Sequence, residues 1–326
     1  MKKKLVKSGC LILCITAVFF GWTGGLLAQD YPKGPIQIVI PYGSGGLTDI
    51  FWRTVSESLA GNIKGTITMV NKTGGSGVVG TSFVVNAKPD GYTLMNVSPE
   101  ATSIARAFSP SIPYDMEKDI TYIAKLVTAG HCIAVRSDSP FKTIEDVVAY
   151  AKANPRKLKS SVMGVSGTPR VIIEVLKRNL KIDIIHVPFE GGGENVTALL
   201  GGHVDMSIVG LTPIQGQIAS GKARLLAVSS PKRFPNMPQV PTLVEKGYMK
   251  SAIGTALGLA GPRGLSPAIV SQWDAAIQKT LQDQKTVSAV ENLAGIVIDY
   301  QSGEAYKKDL MDHYSVYKEI AAAWTK

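Results

Sequence analysis

Several segments rich in glycine and small hydroxyls carry the chemistry open to this chain. Pro41-Tyr-Gly-Ser-Gly-Gly-Leu-Thr-Asp49 and Asn71-Lys-Thr-Gly-Gly-Ser-Gly77 come early; Gly164-Val-Ser-Gly-Thr168, Pro188-Phe-Glu-Gly-Gly-Gly193 and Gly210-Leu-Thr-Pro213 come later. Each follows an apolar run and precedes a helical pattern. In open α/β sheets that position, beyond the carboxyl end of a strand, is where ligands bind. Glycine lets backbone approach closely and adopt φ > 0. The helix that follows presents unpaired N–H groups and the positive end of its dipole, about half a charge. Such loops hold a carboxylate or phosphate without lysine or arginine. Taken singly, each is also an ordinary βα turn, and Thr48, Asp49 and Thr168 also read as plain helix N-caps. Four or five on the same side of their strands are harder to assign to turns alone. Tyr42 and Phe189, each after a proline at a strand end, are placed to cover a ligand.

Other chemistries find less support. Gly75-Ser-Gly-Val-Val-Gly80 matches GxGxxG, with Glu100 twenty residues beyond Gly80. It stands in the second strand–helix unit, however, and Glu100 follows the loop of the third strand, so a dinucleotide site is disfavoured. Ser166 lacks nucleophile-elbow spacing, and His186 sits inside an apolar strand. His131, His203 and His313 have no spacing that suggests metal ligation. GxxxxGK[ST], HExxH, CxxC and GxSxG are all absent. The expectation is a chain without cofactor, metal or catalytic residue.

The elements that position these loops alternate. Ile36–Ile40, Thr66–Val70 and Tyr92–Val97 read as strands, separated by helical patterns at Thr48–Ala60, where Gly61 is the stop, near 78–86 and near 100–108. A second series starts near Cys132. It contains a helix capped by Thr143, strands at Ser160–Met163, Asp183–Val187, Asp205–Val209 and Leu225–Val228, and helices that include Pro169, Glu194–Leu200 and Pro213. A strand at Ala256–Ala260 and two long helices, Ser266–Gln284 and Ser302–Lys326, close the chain. Alternation of this kind predicts βαβ units and mostly parallel sheet. The terminal helices return to the first series, which requires chain crossings near 124–133 and 254–258.

The chain has 326 residues, 45% hydrophobic and 18% charged, with formal net charge +10. This is a globular composition of about two domains. Three cysteines and four scattered histidines exclude a disulfide scaffold and a dense zinc module. Lys2, Lys3, Lys4 and Lys7, the apolar block Cys10–Phe20 and a small residue at Ala28 form the layout of an export signal cleaved after Ala28. Cleavage removes four lysines and no acids, takes net charge from +10 to +6, and leaves Cys132 as the lone cysteine, in a buried strand. No Lys/Arg cluster points to nucleic acid.

These motifs together resemble the Bug family, the receptors of tripartite tricarboxylate transporters. The resemblance is carried by Tyr31-Pro-x-x-Pro-Ile-x-Ile-Val-Ile-Pro-Tyr-Gly-x-Gly-Gly-x-Thr-Asp49, Asn71-Lys-x-Gly-Gly-Ser-Gly77, Lys88-Pro-Asp-Gly-Tyr-Thr-Leu94, His186-Val-Pro-Phe-x-Gly191 and Leu199-Leu-Gly-Gly-His-Val-Asp205. Gly221-Lys-x-Arg-Leu-Leu-Ala-Val228 and Pro238-x-Val-Pro-Thr-Leu-x-Glu-x-Gly247 complete it. It implies an α/β, two-domain periplasmic binding protein of the Venus-flytrap, type II-like kind with two crossing strands. Domain 1 would comprise residues 29–128 and 255–326, and domain 2 residues 129–254.

The resemblance further implies a monomer that closes on a small organic carboxylate in the periplasm and delivers it to transporter permease subunits. One carboxylate is expected on Tyr42, Gly43, Ser44, Gly45, Gly46, Thr48 and Asp49 and on Gly74, Gly75, Ser76 and Gly77, partly through water, with Ser98 beside them. The second domain is expected to add Ser166, Gly167, Thr168, Phe189, Glu190, Gly191, Gly192, Gly210 and Leu211. Glu190 and the Gly210-Leu211 pair depart from residues common in the family. Glu190 either selects a ligand with an ammonium or hydroxyl opposite its carboxylate or points to solvent. A ligand-presenting sensor and a secreted enzyme acting on a small acid are the alternatives.

Overall fold

A computed structural model describes residues 31–109, 111–164, 167–234 and 237–324. The export segment with its Ala28 cleavage site, and Ser166, lie outside the described residues. Residues 32–326 form one compact unit.

The chain order is β1 (Ile36–Ile40), α1 (Leu47–Ile63), β2 (Ile67–Asn71), a 3-10 turn (Gly75–Gly77), α2 (Val78–Val85), β3 (Thr93–Val97), a second 3-10 turn (Pro99–Ala101), α3 (Ser103–Phe108) and β4 (Ile120–Arg136). Then follow α4 (Ile144–Ala153), β5 (Lys159–Met163), α5 (Thr168–Leu180), β6 (Ile185–Phe189), α6 (Gly192–Leu200), β7 (Met206–Gly210), α7 (Leu211–Ala219) and β8 (Ala223–Val228). The last elements are β9 (Gly254–Pro262), α8 (Pro267–Gln282), α9 (Gln284–Glu291), β10 (Ile296–Ser302) and α10 (Gly303–Trp324).

The strands run β2-β1-β3-β9-β4-β7-β5-β6, with β8 and β10 also paired to β4. Pairing is parallel where βαβ units repeat, β1 with β2 and β3, β5 with β6 and β7. It is antiparallel wherever β4 or β9 takes part. The sheet is therefore mixed rather than mostly parallel. The 17-residue β4 is the reason: residues 120–130 pair with β9, and residues 131–136 pair with β7 and β8. One strand thus carries the chain from the first lobe into the second, and β9 brings it back, both at the places where the crossings were expected. This is the two-domain periplasmic binding protein fold.

Apolar side chains fill both faces. Val39, Met95, Val97, Tyr122 and Tyr306 form a core cluster of the first lobe. Val162, Ile172, Ile173, Met206 and Ile208 lie in one cluster of the second lobe, and Cys132, Leu199, Val209 and Leu211 in another. The terminal helices do return to the first lobe: α8 packs on α1, and α10 on α3.

Four local readings need correction. Helix α1 continues past Gly61, which costs about 1 kcal/mol relative to alanine, because wholly buried Ile63 anchors its last turn; Lys64, at φ 57, ends it. Strand β6 runs on through Pro188, which an edge strand tolerates because no partner needs its N–H. The helix expected near 100–108 is split into a 3-10 turn and α3. Between the two long terminal helices lie α9 and β10, a half-exposed strand on β4 whose alternation was missed.

Candidate functional site

The loop after β1 is held by its own residues. The N–H of Gly45, a residue at φ +70, donates to Asp49 Oδ2 at 2.9 Å. Asp49 Oδ1 accepts from Arg53 Nε at 2.9 Å and from Asn71 Nδ2 at 3.0 Å, and Asn71 also donates to the Tyr42 carbonyl. Burial alone would raise the Asp49 carboxyl; the bonds from Arg53, Gly45 and Asn71 outweigh it and hold the pKa below the ordinary value. Asp49 thus staples the loop to the end of β2. The Tyr42 hydroxyl shares a 2.6 Å hydrogen bond with Ser98 Oγ. In the next loop Gly74, Gly75, Ser76 and Gly77 all have positive φ, and Ser76, the one without glycine's freedom, is buried.

The glycines of the two lobes face each other. Gly43 N–H donates to the Glu190 carbonyl at 3.3 Å. A Cβ on Gly191 would stand 3.0 Å from Gly43 Cα, one on Gly46 3.2 Å from Gly192 N, and one on Gly193 3.3 Å from the Ser44 carbonyl. One on Gly164 would strike Ser76 Oγ at 2.2 Å, and one on Gly210 Leu47 Cδ1 at 2.4 Å. Glycine is therefore needed here for backbone approach as well as for amide access.

Between these faces lies a cavity of about 30 Å³, room for one or two waters. Tyr42, Gly46, Thr48, Gly192 and Gly210, all singled out from sequence, line it, with Leu47, Met163, Pro169, Val209 and Pro213 as apolar wall. The starts of α1, α5, α6 and α7 converge on it. Their N-caps are Gly46, Gly167, Gly191 and Gly210, and none has a side-chain cap hydrogen bond. The dipoles of four helices thus favour an anion in one place. No lysine or arginine is among the described lining residues.

The other residues singled out from sequence fall elsewhere. Ser44, Gly45 and Gly75 are exposed, and Gly74 and Gly77 shape the second loop. Thr168 is the first residue of α5 rather than its cap, and its buried hydroxyl donates to Glu100. Phe189 packs on a core cluster of the second lobe, and Leu211 is wholly buried there. The Glu190 side chain is exposed, and the Glu190 backbone N–H donates to Glu194 Oε2 at 3.1 Å.

Three polar lining residues were missed. Asn195, the fourth residue of α6, is wholly buried, with neither Oδ1 nor Nδ2 bonded. His131, on β4 opposite Gly210, is buried with Nδ1 unpartnered, and burial pushes its pKa down to about 4. Thr255, at the start of β9, donates to Glu100 Oε1, whose fully buried carboxyl also takes the Thr168 hydroxyl. Asn195 shares the buried face of α6 with Val196, Ala198 and Leu199, and only that burial sets it apart from other polar helix residues. His131 was weighed only as a metal ligand.

A two-lobed α/β fold with a small anion-favouring cavity where the lobes meet defines a solute-binding receptor. The family model described as the tripartite tricarboxylate transporter family receptor matches residues 51–320, and the chain belongs to that family. It is 34% identical over 255 residues to the UPF0065 protein in the gbd 5′ region of Cupriavidus necator, covering 78% of this chain and 76% of the relative. The structure of the periplasmic binding protein BugD superposes with TM-score 0.83 at 27% identity, over 89% of this chain and 97% of that one. MatC from Rhodopseudomonas palustris with bound malate superposes with TM-score 0.84 at 25% identity, over 89% and 100%.

Proposed function

We propose that this chain is a periplasmic receptor, exported by a signal cleaved after Ala28, that captures a small carboxylate between its lobes and delivers it to the permease subunits of a tripartite tricarboxylate transporter. The observation that carries this reading is the convergence of four glycine-capped helix starts on one cavity without a cation. Free amides there supply charge-assisted hydrogen bonds, each contributing about 1.5–3 kcal/mol in a dry site. The bound malate of MatC, a carboxylate in a protein of the same fold, supports the ligand class.

Closure follows from the crossing strands. With domain 1 as residues 29–128 and 255–326 and domain 2 as residues 129–254, only β4 and the lead into β9 need to bend. Closing brings Gly43 to Glu190 and shuts water out of the cavity, which strengthens every bond to the acid. The protein binds and releases its ligand unchanged, as a monomer.

A thermal-shift screen of the purified chain against small mono-, di- and tricarboxylates and their neutral amides tests the ligand class. A carboxylate that binds raises the melting point by linkage, about 2.7 kcal/mol at a hundred times its Kd. Stabilisation by neutral solutes alone would remove the reading. Co-purification of the chain with its permease from membranes, dependent on that acid, tests delivery.

A further inference from the structure

We propose that Asn195 and His131 read the end of the ligand opposite its carboxylate, and that they select a neutral group able to donate and accept hydrogen bonds, a hydroxyl or a carboxamide, over a second carboxylate. This selection presupposes that the cleft holds a carboxylate at all.

Both polar atoms of the Asn195 side chain are buried at the cavity without a partner. Buried amides are normally bonded, and two orphaned atoms on one side chain mark a place where something else completes the set. Exchanging oxygen and nitrogen by an amide flip changes nothing, because both lack partners. The amide needs a group that accepts from Nδ2 and donates to Oδ1. A carboxylate only accepts; a hydroxyl or carboxamide does both.

His131 adds a third unpartnered atom, Nδ1, on the same cavity. Its lowered pKa makes it a neutral imidazole near pH 7, whose Nδ1 either donates or accepts and which is no counter-ion. Thr255 also lines the cavity and donates to Glu100, so an acidic side chain stands one hydrogen bond behind the wall. A second carboxylate would meet no cation there and would leave Asn195 Oδ1 bare. An alkyl end would leave all three atoms bare.

The test is calorimetric titration of the chain from residue 29 onward with two matched series. One is propionate, 3-hydroxypropionate, malonamate and malonate; the other is butyrate, 4-hydroxybutyrate, succinamate and succinate. In at least one series the hydroxy or amide acid is expected to bind ten times or more tighter than its alkyl and dicarboxylate counterparts. In Asn195→Ala that preference should fall below threefold. Asn195→Leu, an apolar side chain of similar size, should lose it too while the ligand-free protein melts no lower than wild type, which separates lost recognition from lost folding.

If the dicarboxylate binds as tightly as the hydroxy and amide acids in both series, or if the preference survives both substitutions, the selection is overturned while carboxylate capture stands. If none of the eight acids binds, the carboxylate reading falls and the selection with it.

Discussion

The four helices that start at the cleft begin differently from α4, α8 and α9, which start away from it, although α2, on Gly77, and α3, on Thr102, also lack a side-chain cap. Away from it, α4 is capped by Thr143 in a reciprocal box with Asp146, α8 by Ser266 and α9 by Asp283, each side chain accepting a first-turn N–H. At the cleft, α1, α5, α6 and α7 begin on glycine and no side chain accepts. A side-chain cap stabilises a helix by about 1 kcal/mol. Helices α4, α8 and α9 take that stabilisation from their own chain. The cleft helices forgo it, which on the proposed function leaves their amides to a ligand held between the lobes. Glycine serves twice there, because it also lets the two backbones touch.

The sharpest way to break this contrast is Gly191→Val. Gly191 has extended backbone, φ −158, which any residue adopts, so the second lobe should fold normally. The valine Cβ would press on Gly43 Cα and keep the lobes apart. Affinity for the captured acid, measured by calorimetry, should fall about a hundredfold, or about 2.7 kcal/mol, with the melting point of the free protein little changed. Unaltered affinity would show that the glycine faces need not meet.

Asp49→Ala should come next. It removes the acceptor for Gly45, Arg53 and Asn71 while touching nothing in the cavity. A loop that no longer holds Gly46 and Thr48 in place should bind roughly tenfold more weakly, about 1.4 kcal/mol. Unlike the glycine change, it should also lower the melting point.

A pH series sharpens the comparison from the side of the cleft's cost in stability. Burial lowers the His131 pKa from 6.5 to about 4. The unfolded chain therefore binds this proton more readily, and stability present above pH 6.5 is lost as pH falls toward 4. The loss is on the order of 1–3 kcal/mol at its full extent. Denaturant unfolding of wild type and His131→Gln across that window should show a smaller acid loss in the variant. Parallel curves would mean that the imidazole is not held neutral.

The smallest effect belongs to the periphery. Thr143→Ala should cost about 1 kcal/mol of stability and leave the affinity where it was. A change in affinity would blur the distinction between the two sets of helices.

Much of this was legible in the sequence wherever the signal was local. Thr143 three residues before Asp146 announces a capped helix, Pro169 marks a first turn, and glycine runs after apolar segments mark the strand–helix corners. The crossings could be placed because the terminal helices had to return. What escaped was set by tertiary meeting. Asn195 looks like any polar residue of a helix until its burial at the cavity is seen. His131 gains its meaning from standing opposite Gly210 across β4 and β7. β10 was lost because an edge strand with exposed Val297 and Tyr300 carries a weak apolar alternation between two strong helical patterns. Gly61 was overruled by the burial of Ile63, which no local pattern weighs.

The most direct measurement follows backbone amides by NMR during titration with the tightest-binding acid of the matched series. The account predicts that the N–H signals of Leu47, Thr48, Gly192 and Leu211 shift downfield and become protected from exchange, while those of Asp146 and Ile269, already bonded to side-chain caps, stay where they are. If the acid leaves the four cleft amides unmoved, or perturbs both groups alike, ligand capture by open helix starts is contradicted.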